Sequence, residues 1–179
     1  QPQADFIRAI RSALPDDGVF VAGMNQMGYY GRNYYPVYTP QGFQTCSHHG
    51  TLGSVLPIAL GAKVARPDRA IVAVSGDGGA LYNMQELATA VQYGINAIMI
   101  VFNDNAYGNV KRAQQEGFDG HVIGTDLHNP DFVKLAQAYG VRGVKAEDAG
   151  QLEAALREAI HAGAPTLIEV PVGPMERRY

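Results

Sequence analysis

In the stretch "SGDGGALYN", residues 75–83, one carboxylate, Asp77, sits inside a run of glycines. Apolar "AIVAV" precedes it, and "MQELATAV", with helical spacing, follows. Gly76, Gly78 and Gly79 let a backbone approach a ligand closely, and a helix start offers free N–H groups suited to a diphosphate. A bare phosphate would repel Asp77. A divalent cation between them removes the conflict, because carboxylate and diphosphate oxygens then share one metal. Mg²⁺ needs further oxygens, and a second stretch, "FNDNAYGN", offers Asn103, Asp104, Asn105 and the backbone carbonyls around Ala106. Either loop alone reads equally well as turn and helix capping by Asp and Asn. Both together, at the same end of neighbouring strands, favour a metal–diphosphate site. Neither G-x-x-x-x-G-K-[ST] nor G-x-G-x-x-G occurs at the glycines, which argues against a Walker loop and a nicotinamide fingerprint.

The elements that must position these loops alternate between strand and helix periods. "QADFIRAIRSAL" carries Phe6, Ile7, Ile10 and Leu14 on one helical stripe, and "GVFVAG" reads as a short strand. The Tyr-rich "MGYYGRNYYPVYTPQGF" reads as a long ordered loop or interface segment. "GTLGSVLPIALGAKVA" reads as a mostly buried helix with Pro57 near its first turn. "RAIVAVSG" and "NAIMIVFN" are apolar strands separated by the helix "NMQELATAVQYG", stopped by Gly94. "NPDFVKLAQAYG" reads as a helix with Asn129 as N-cap and Pro130 at its first position. A strand "VRGVKA", a helix "DAGQLEAALREAIHAG" and a strand "PTLIEVPV" follow. Strands apolar throughout and separated by helices predict a doubly wound α/β fold, a mostly parallel sheet of about six strands with helices on both faces. Residues 1–179 are expected to form one domain, with ligands at the carboxyl ends of the strands.

Composition excludes several classes. At 46% hydrophobic residues the chain buries a core, and its net charge of −3 argues against nucleic-acid or anionic-membrane surfaces. One cysteine, Cys46, rules out an internal disulfide framework or an all-cysteine metal site and reads as a small buried residue. No apolar run is long enough to span a membrane, so a cytoplasmic protein is expected. The chain starts at Gln1 without an initiating Met, which favours a piece of something longer. His121, His128 and His161 have no partner pattern and are expected at the surface.

"GDG" followed by an Asn-containing turn resembles the binding motif of thiamine-diphosphate-dependent enzymes. The surrounding text, from "GTLGSVLPIALGAKVA" through "FNDNAYGNVKR", resembles the acetolactate synthase, benzoylformate decarboxylase and pyruvate oxidase group. The resemblance covers nearly the whole chain and corresponds to that family's diphosphate-binding (PP) domain, a C-terminal third in most members. It implies thiamine diphosphate and Mg²⁺ as cofactors, with Asp77, Asp104 and the Ala106 carbonyl on the metal. Gly76, Gly78, Gly79 and Ala80 would surround the diphosphate, Tyr107 and Gly108 would line its side, and Gln26 and Met27 would touch it from the first strand's loop. Asp104 departs from the family's usual asparagine, adding a negative charge that tightens the metal or loosens the diphosphate. Leu52 would be the apolar wedge under the cofactor, with the Gly50 carbonyl and Leu52 N–H at the pyrimidine edge; read without the resemblance, Leu52 is a buried helix-start leucine. His48 and His49 stand where relatives carry small residues, near the reacting carbons, as acid–base groups, satisfied histidines or a steric wall.

The resemblance implies a 2-keto acid decarboxylase or carboligase of acetolactate-synthase-like type, acting on a small 2-keto acid. The glutamate that activates the cofactor in such enzymes lies on a separate pyrimidine-binding domain. Glu86 falls inside a helix, and Glu116, Glu147, Glu153, Glu158, Glu169 and Glu176 fall in polar or terminal segments, so none here suits that role. The isolated chain is therefore expected to be inactive, needing a pyrimidine-binding domain or subunit within a homodimer or homotetramer. The alternatives are the small subunit of a split 2-keto acid decarboxylase and a non-catalytic metal–diphosphate binding or assembly module. A ferredoxin-linked oxidoreductase subunit is disfavoured by the single cysteine.

Overall fold

The computed structural model describes residues 2–46 and 49–174, so the expectations for His48 and for Glu176 lie outside it. Six strands, β1 (Val19–Ala22), β2 (Phe43–Thr45), β3 (Ile71–Gly76), β4 (Ile98–Asn103), β5 (Arg142–Lys145) and β6 (Thr166–Pro171), form one sheet in the order β2-β1-β3-β4-β6-β5. Every neighbouring pair is parallel. The helices are α1 (Pro2–Ala13), α2 (Gln26–Tyr34), α3 (Val55–Ala65), α4 (Asp77–Ala80), α5 (Glu86–Gln92), α6 (Gly108–Gly117), α7 (Phe132–Ala138) and α8 (Ala149–Ala162). The doubly wound α/β sheet follows from the continuous apolar strands, which are buried on both faces.

Alternation along the strands divides the core. Val72, Val74, Ile98, Ile100, Ile168 and Val170 point to one face and pack with Phe6, Ile7 and Ile10 of α1, Met27 and Tyr30 of α2, and Leu152 and Leu156 of α8. Ile71, Ala73, Met99, Val101 and Leu167 point to the other, against Val55, Leu56 and Ala59 of α3, Leu87 of α5 and Phe132 of α7. Fully buried side chains such as Ile100 and Leu167 each contribute about 1.5–3 kcal/mol. Asp148 caps α8 by accepting from Gln151 N, and Gly163 closes it at φ 58°. No helix of the described residues is long and apolar enough to cross a membrane.

Four sequence expectations change. The Tyr-rich stretch is not one long loop: α2 occupies Gln26–Tyr34, capped by Asn25, whose side chain accepts from Gly28 N at 2.9 Å. Met27, Tyr30 and Gly31 repeat at helical spacing and are buried, with Gly31 against the Phe20 ring. A Cβ on Gly28 would collide with the Gly23 carbonyl, so this glycine lets the helix turn back tightly onto β1. The helix after "GTLGS" starts only at Val55, because Gly50 and Gly53 hold positive φ, and only Val55, Leu56, Ala59 and Leu60 of it are buried. Asp131, not Asn129, caps α7, accepting from Lys134 N at 3.0 Å. Glu169 does not lie in a polar segment: it sits inside β6 and is 8% exposed.

Candidate functional site

The sheet order reverses between β1 and β3: the chain leaves β1 toward β2 on one side and leaves β3 toward β4 on the other. Their loops therefore diverge at the carboxyl edge and open a crevice. A cavity of about 250 Å³ occupies it, lined by the loops after β1, β3 and β4 and by Gly50 and Leu52. Gln26, Met27, Gly76, Asp77, Gly78, Gly79, Asp104, Ala106, Tyr107 and Gly108, all named from the sequence, line this one cavity. Ala80 does not: it is 2% exposed and packs into the core beneath α4. His49 is exposed and is not among the lining residues. Asn25, Tyr29, Phe102 and Val110 also line the cavity and were not foreseen.

Each side chain is held by its element. β3 and β4 are adjacent, with Gly76 paired to Phe102, so Asp77 and Asp104 leave neighbouring strand ends together. Asp77 opens α4, a single turn whose first amides have no carbonyl before them within the helix. Gly78 leaves room for the Tyr107 ring, and Gly108 leaves room for the Asp104 carboxylate; a Cβ at either position would collide with them. Asn25 ties the β1 loop to β3 through Nδ2, which donates to the Val74 carbonyl at 3.1 Å. Leu52 is not the buried leucine that local sequence suggests: it is 37% exposed, and its Cδ2 lies 3.6 Å from where a Gly79 Cβ would stand.

The loop after β4 is strapped from outside. Ala106 and Asp126 form an antiparallel bridge, with Tyr107 N donating to the Thr125 carbonyl at 2.8 Å and Leu127 N to the Asn105 carbonyl at 2.9 Å. Those bonds use the neighbours of Ala106 and leave its own carbonyl out of the bridge. Lys111 adds an ion pair to Asp126 at 2.5 Å. Asn105 takes φ 55°, the left-handed conformation that Asn tolerates best among larger residues.

Electrostatics decide what the cavity suits. Asp77 is 2% exposed, and Asp104 is half-buried beside it. Burial, then the charge of Asp77, raises the Asp104 pKa from 3.8 to about 6, against hydrogen bonds from the Ala106 and Asp104 amides. Tyr107 is also raised, first by its hydrogen bond with Tyr82. Among the described residues, no Lys, Arg or His lines the cavity. Two close carboxylates without a basic side chain among the described residues suit a cation, and Gln26 adds a buried Oε1 with no hydrogen-bond partner among them. Among the described residues no group of three or more His, Cys, Asp or Glu is arranged to hold a metal. Two carboxylates and a carbonyl suit Mg²⁺, which takes part of its octahedron from phosphate and water.

Sequence reading missed how the loops are joined. Asn103, counted among the candidate oxygen donors, turns away: its Nδ2 donates to Glu169 Oε1 at 2.8 Å. Asn129, read as a helix cap, reaches into the site, its Nδ2 donating to Asp77 Oδ2 at 2.6 Å. The signal was ambiguous, since "NPDF" offers two cap-type residues and only the tertiary fold separates them. Cys46 is buried, and His121, His128 and His161 are exposed, as their contexts predict.

Comparison with known proteins gives the same family throughout. A family model described as "Thiamine pyrophosphate enzyme, C-terminal TPP binding domain" matches residues 22–170. The chain is 34% identical over 153 residues to a probable acetolactate synthase large subunit of Methanococcus aeolicus, covering 85% of this chain and 25% of that one. It is 39% identical over 138 residues to the acetolactate synthase large subunit of Haemophilus influenzae, covering 76% and 24%. The thiamine diphosphate-dependent 4-hydroxybenzoylformate decarboxylase of Rhodococcus jostii RHA1 superposes with a TM-score of 0.89 at 33% identity, over 97% of this chain and 33% of that one. The chain thus spans about a quarter to a third of the length of these relatives. With the matched span running from β1 to β6 and the cavity at its switch point, this chain belongs to the thiamine pyrophosphate enzymes, as their C-terminal thiamine-pyrophosphate-binding domain.

Proposed function

We propose that the chain is the thiamine-diphosphate- and Mg²⁺-binding part of a 2-keto acid decarboxylase or carboligase of acetolactate-synthase-like type. The observation that carries this reading is the convergence of Asp77 and Asp104 in one cavity that, among the described residues, no basic side chain lines. Asp77, Asp104 and the Ala106 carbonyl would hold Mg²⁺. Gly76, Gly78 and Gly79 admit the diphosphate, with Gln26, Met27, Tyr107 and Gly108 around it. Thiamine diphosphate supplies, when bound, nucleophilic attack on a keto carbon and storage of the electron pair released with CO₂. Leu52 would orient the ring system, and the Gly50 carbonyl and Leu52 N–H would hold the pyrimidine edge. Met27 and Phe102 add apolar surface to the cavity lining. His49, exposed and off the cavity, is given no part.

Activity requires a pyrimidine-binding domain or subunit carrying the activating glutamate, within a homodimer or homotetramer. Leu52 and Val110, exposed while lining the cavity, support a covering partner. The test is calorimetric titration of the chain with thiamine diphosphate and Mg²⁺, repeated with Asp77→Ala. Metal-dependent binding that Asp77→Ala abolishes supports the reading. No metal-dependent binding by the wild type, even with a pyrimidine-binding domain supplied, overturns it. Turnover of pyruvate, benzoylformate or glyoxylate in that mixture then separates an enzyme from a non-catalytic module.

A further inference from the structure

We propose that Asn129 is a positioning residue that fixes the Asp77 carboxylate for a metal, and that its own orientation is imposed by Glu169 through Asn103. This rests on the metal reading of the cavity and adds the device that prepares it.

The relay begins on β6. Glu169 is paired in register with Val101, one strand from the site, and is 8% exposed between the buried Ile168 and Val170. A buried carboxylate there needs a donor, and Asn103 supplies its Nδ2 at 2.8 Å. A carboxylate only accepts, so it selects the amide nitrogen and turns Asn103 Oδ1 the other way. That oxygen accepts from Asn105 N at 3.2 Å and from Asn129 Nδ2 at 2.8 Å. The donor end of Asn129 is thereby brought against Asp77 Oδ2 at 2.6 Å. Turning the Asn129 amide over would set its oxygen against Asp77 Oδ2, Asn103 Oδ1 and Asn105 Oδ1. The observed orientation holds although Asn129 Oδ1 is buried without a hydrogen-bond partner among the described residues.

With Oδ2 occupied, the Asp77 carboxylate is held in one rotation, and no ordering is left for the metal to impose. Hydrogen-bonded partners of metal ligands act this way, and their loss weakens metal affinity by about 10–100-fold. Three segments distant in sequence, the end of β4, the approach to α7 and the middle of β6, are needed for it. This explains why a glutamate interrupts β6 and why Asn129 is drawn away from capping α7.

Two measurements test the proposal on the full chain. Metal affinity is read by calorimetry with Mg²⁺ in the presence of thiamine diphosphate, for wild type, Asp77→Ala, Asn129→Ala and Glu169→Gln. Asn129→Ala is expected to weaken Mg²⁺ binding by about 10–100-fold while its melting temperature in EDTA changes little, and Glu169→Gln to weaken it in the same direction. Wild-type affinity in Asn129→Ala, with binding lost in Asp77→Ala, overturns the positioning role and leaves the site reading standing. Absence of Mg²⁺ binding in the wild type overturns both. The second measurement needs no metal and no folded Asn129 variant: side-chain amide exchange by ¹⁵N NMR in EDTA. The Asn103 and Asn129 Nδ2 protons are expected to exchange slowly in the wild type, and those of Asn129 faster in Glu169→Gln. Free exchange of the Asn129 amide in the wild type, or no response to Glu169→Gln, overturns the relay.

Discussion

Replacing Asp104 by asparagine, Asp104→Asn, isolates the electrostatic character of the cavity. Its pKa rises from 3.8 to about 6, first through burial and then through the Asp77 charge. A raised carboxylate binds its proton more tightly in the folded state. Stability from this group is therefore complete below about pH 4 and is lost as pH climbs through about 6. Two pKa units correspond to about 3 kcal/mol, and solvent screening at this half-exposed group reduces that to roughly 1–1.5 kcal/mol. For a domain of this size that is a melting difference of about 3–5 °C. In EDTA at pH 7.5, Asp104→Asn should melt higher than wild type by that amount, with the gap closing toward pH 4.5. With Mg²⁺ and thiamine diphosphate in excess the order should reverse, because ligand stabilisation scales with affinity and the wild type carries the additional charge. Measuring the difference between the two proteins cancels every other titrating group. A gap independent of pH, or a variant less stable than wild type in EDTA at pH 7.5, would refute the reasoning.

Gly28→Ala drives a methyl into the Gly23 carbonyl, where backbone cannot yield, and should cost about 1–3 kcal/mol in urea unfolding. Phe132→Ala removes a fully buried ring between α7 and the sheet and should cost about 3–5 kcal/mol by the same assay. Asp131→Ala should cost about 1 kcal/mol through loss of the α7 cap, measured by thermal or urea melting in EDTA. Gly78→Ala should weaken thiamine diphosphate binding in calorimetry by displacing the Tyr107 ring, at little cost to the sheet.

The strands that carry the site were legible because β3, β4 and β6 are apolar at almost every position, which only a doubly covered parallel sheet requires. Asp77 and Asp104 were legible for the opposite reason: acids placed at the ends of such strands have no packing role. The α2 helix was hidden because tyrosine, glycine and following prolines obscure the spacing of Met27, Tyr30 and Gly31, whose burial depends on contact with β1. Three-residue β2 is too short for periodicity, and α6 has none to show because none of its residues is buried. Asn129 and Glu169 belong to a network spanning 92 to 52 positions of separation from Asp77 (169 − 77 and 129 − 77), and no local pattern encodes that.

The bridge between Ala106 and Asp126 divides its neighbourhood into two stability regimes. Between its ends the chain makes an excursion through α6, with Phe118 66% and Ile123 82% exposed and no helix residue buried. Such a segment opens by local fluctuation without breaking the sheet. Amide protons of 110–124 should thus exchange with deuterium early, while those of Tyr107 and Leu127, bonded across the bridge, persist toward the global limit. Beyond Lys111 the excursion is thermodynamically insulated from the loop that carries Asp104, and its composition can drift while the metal-facing backbone stays where it is.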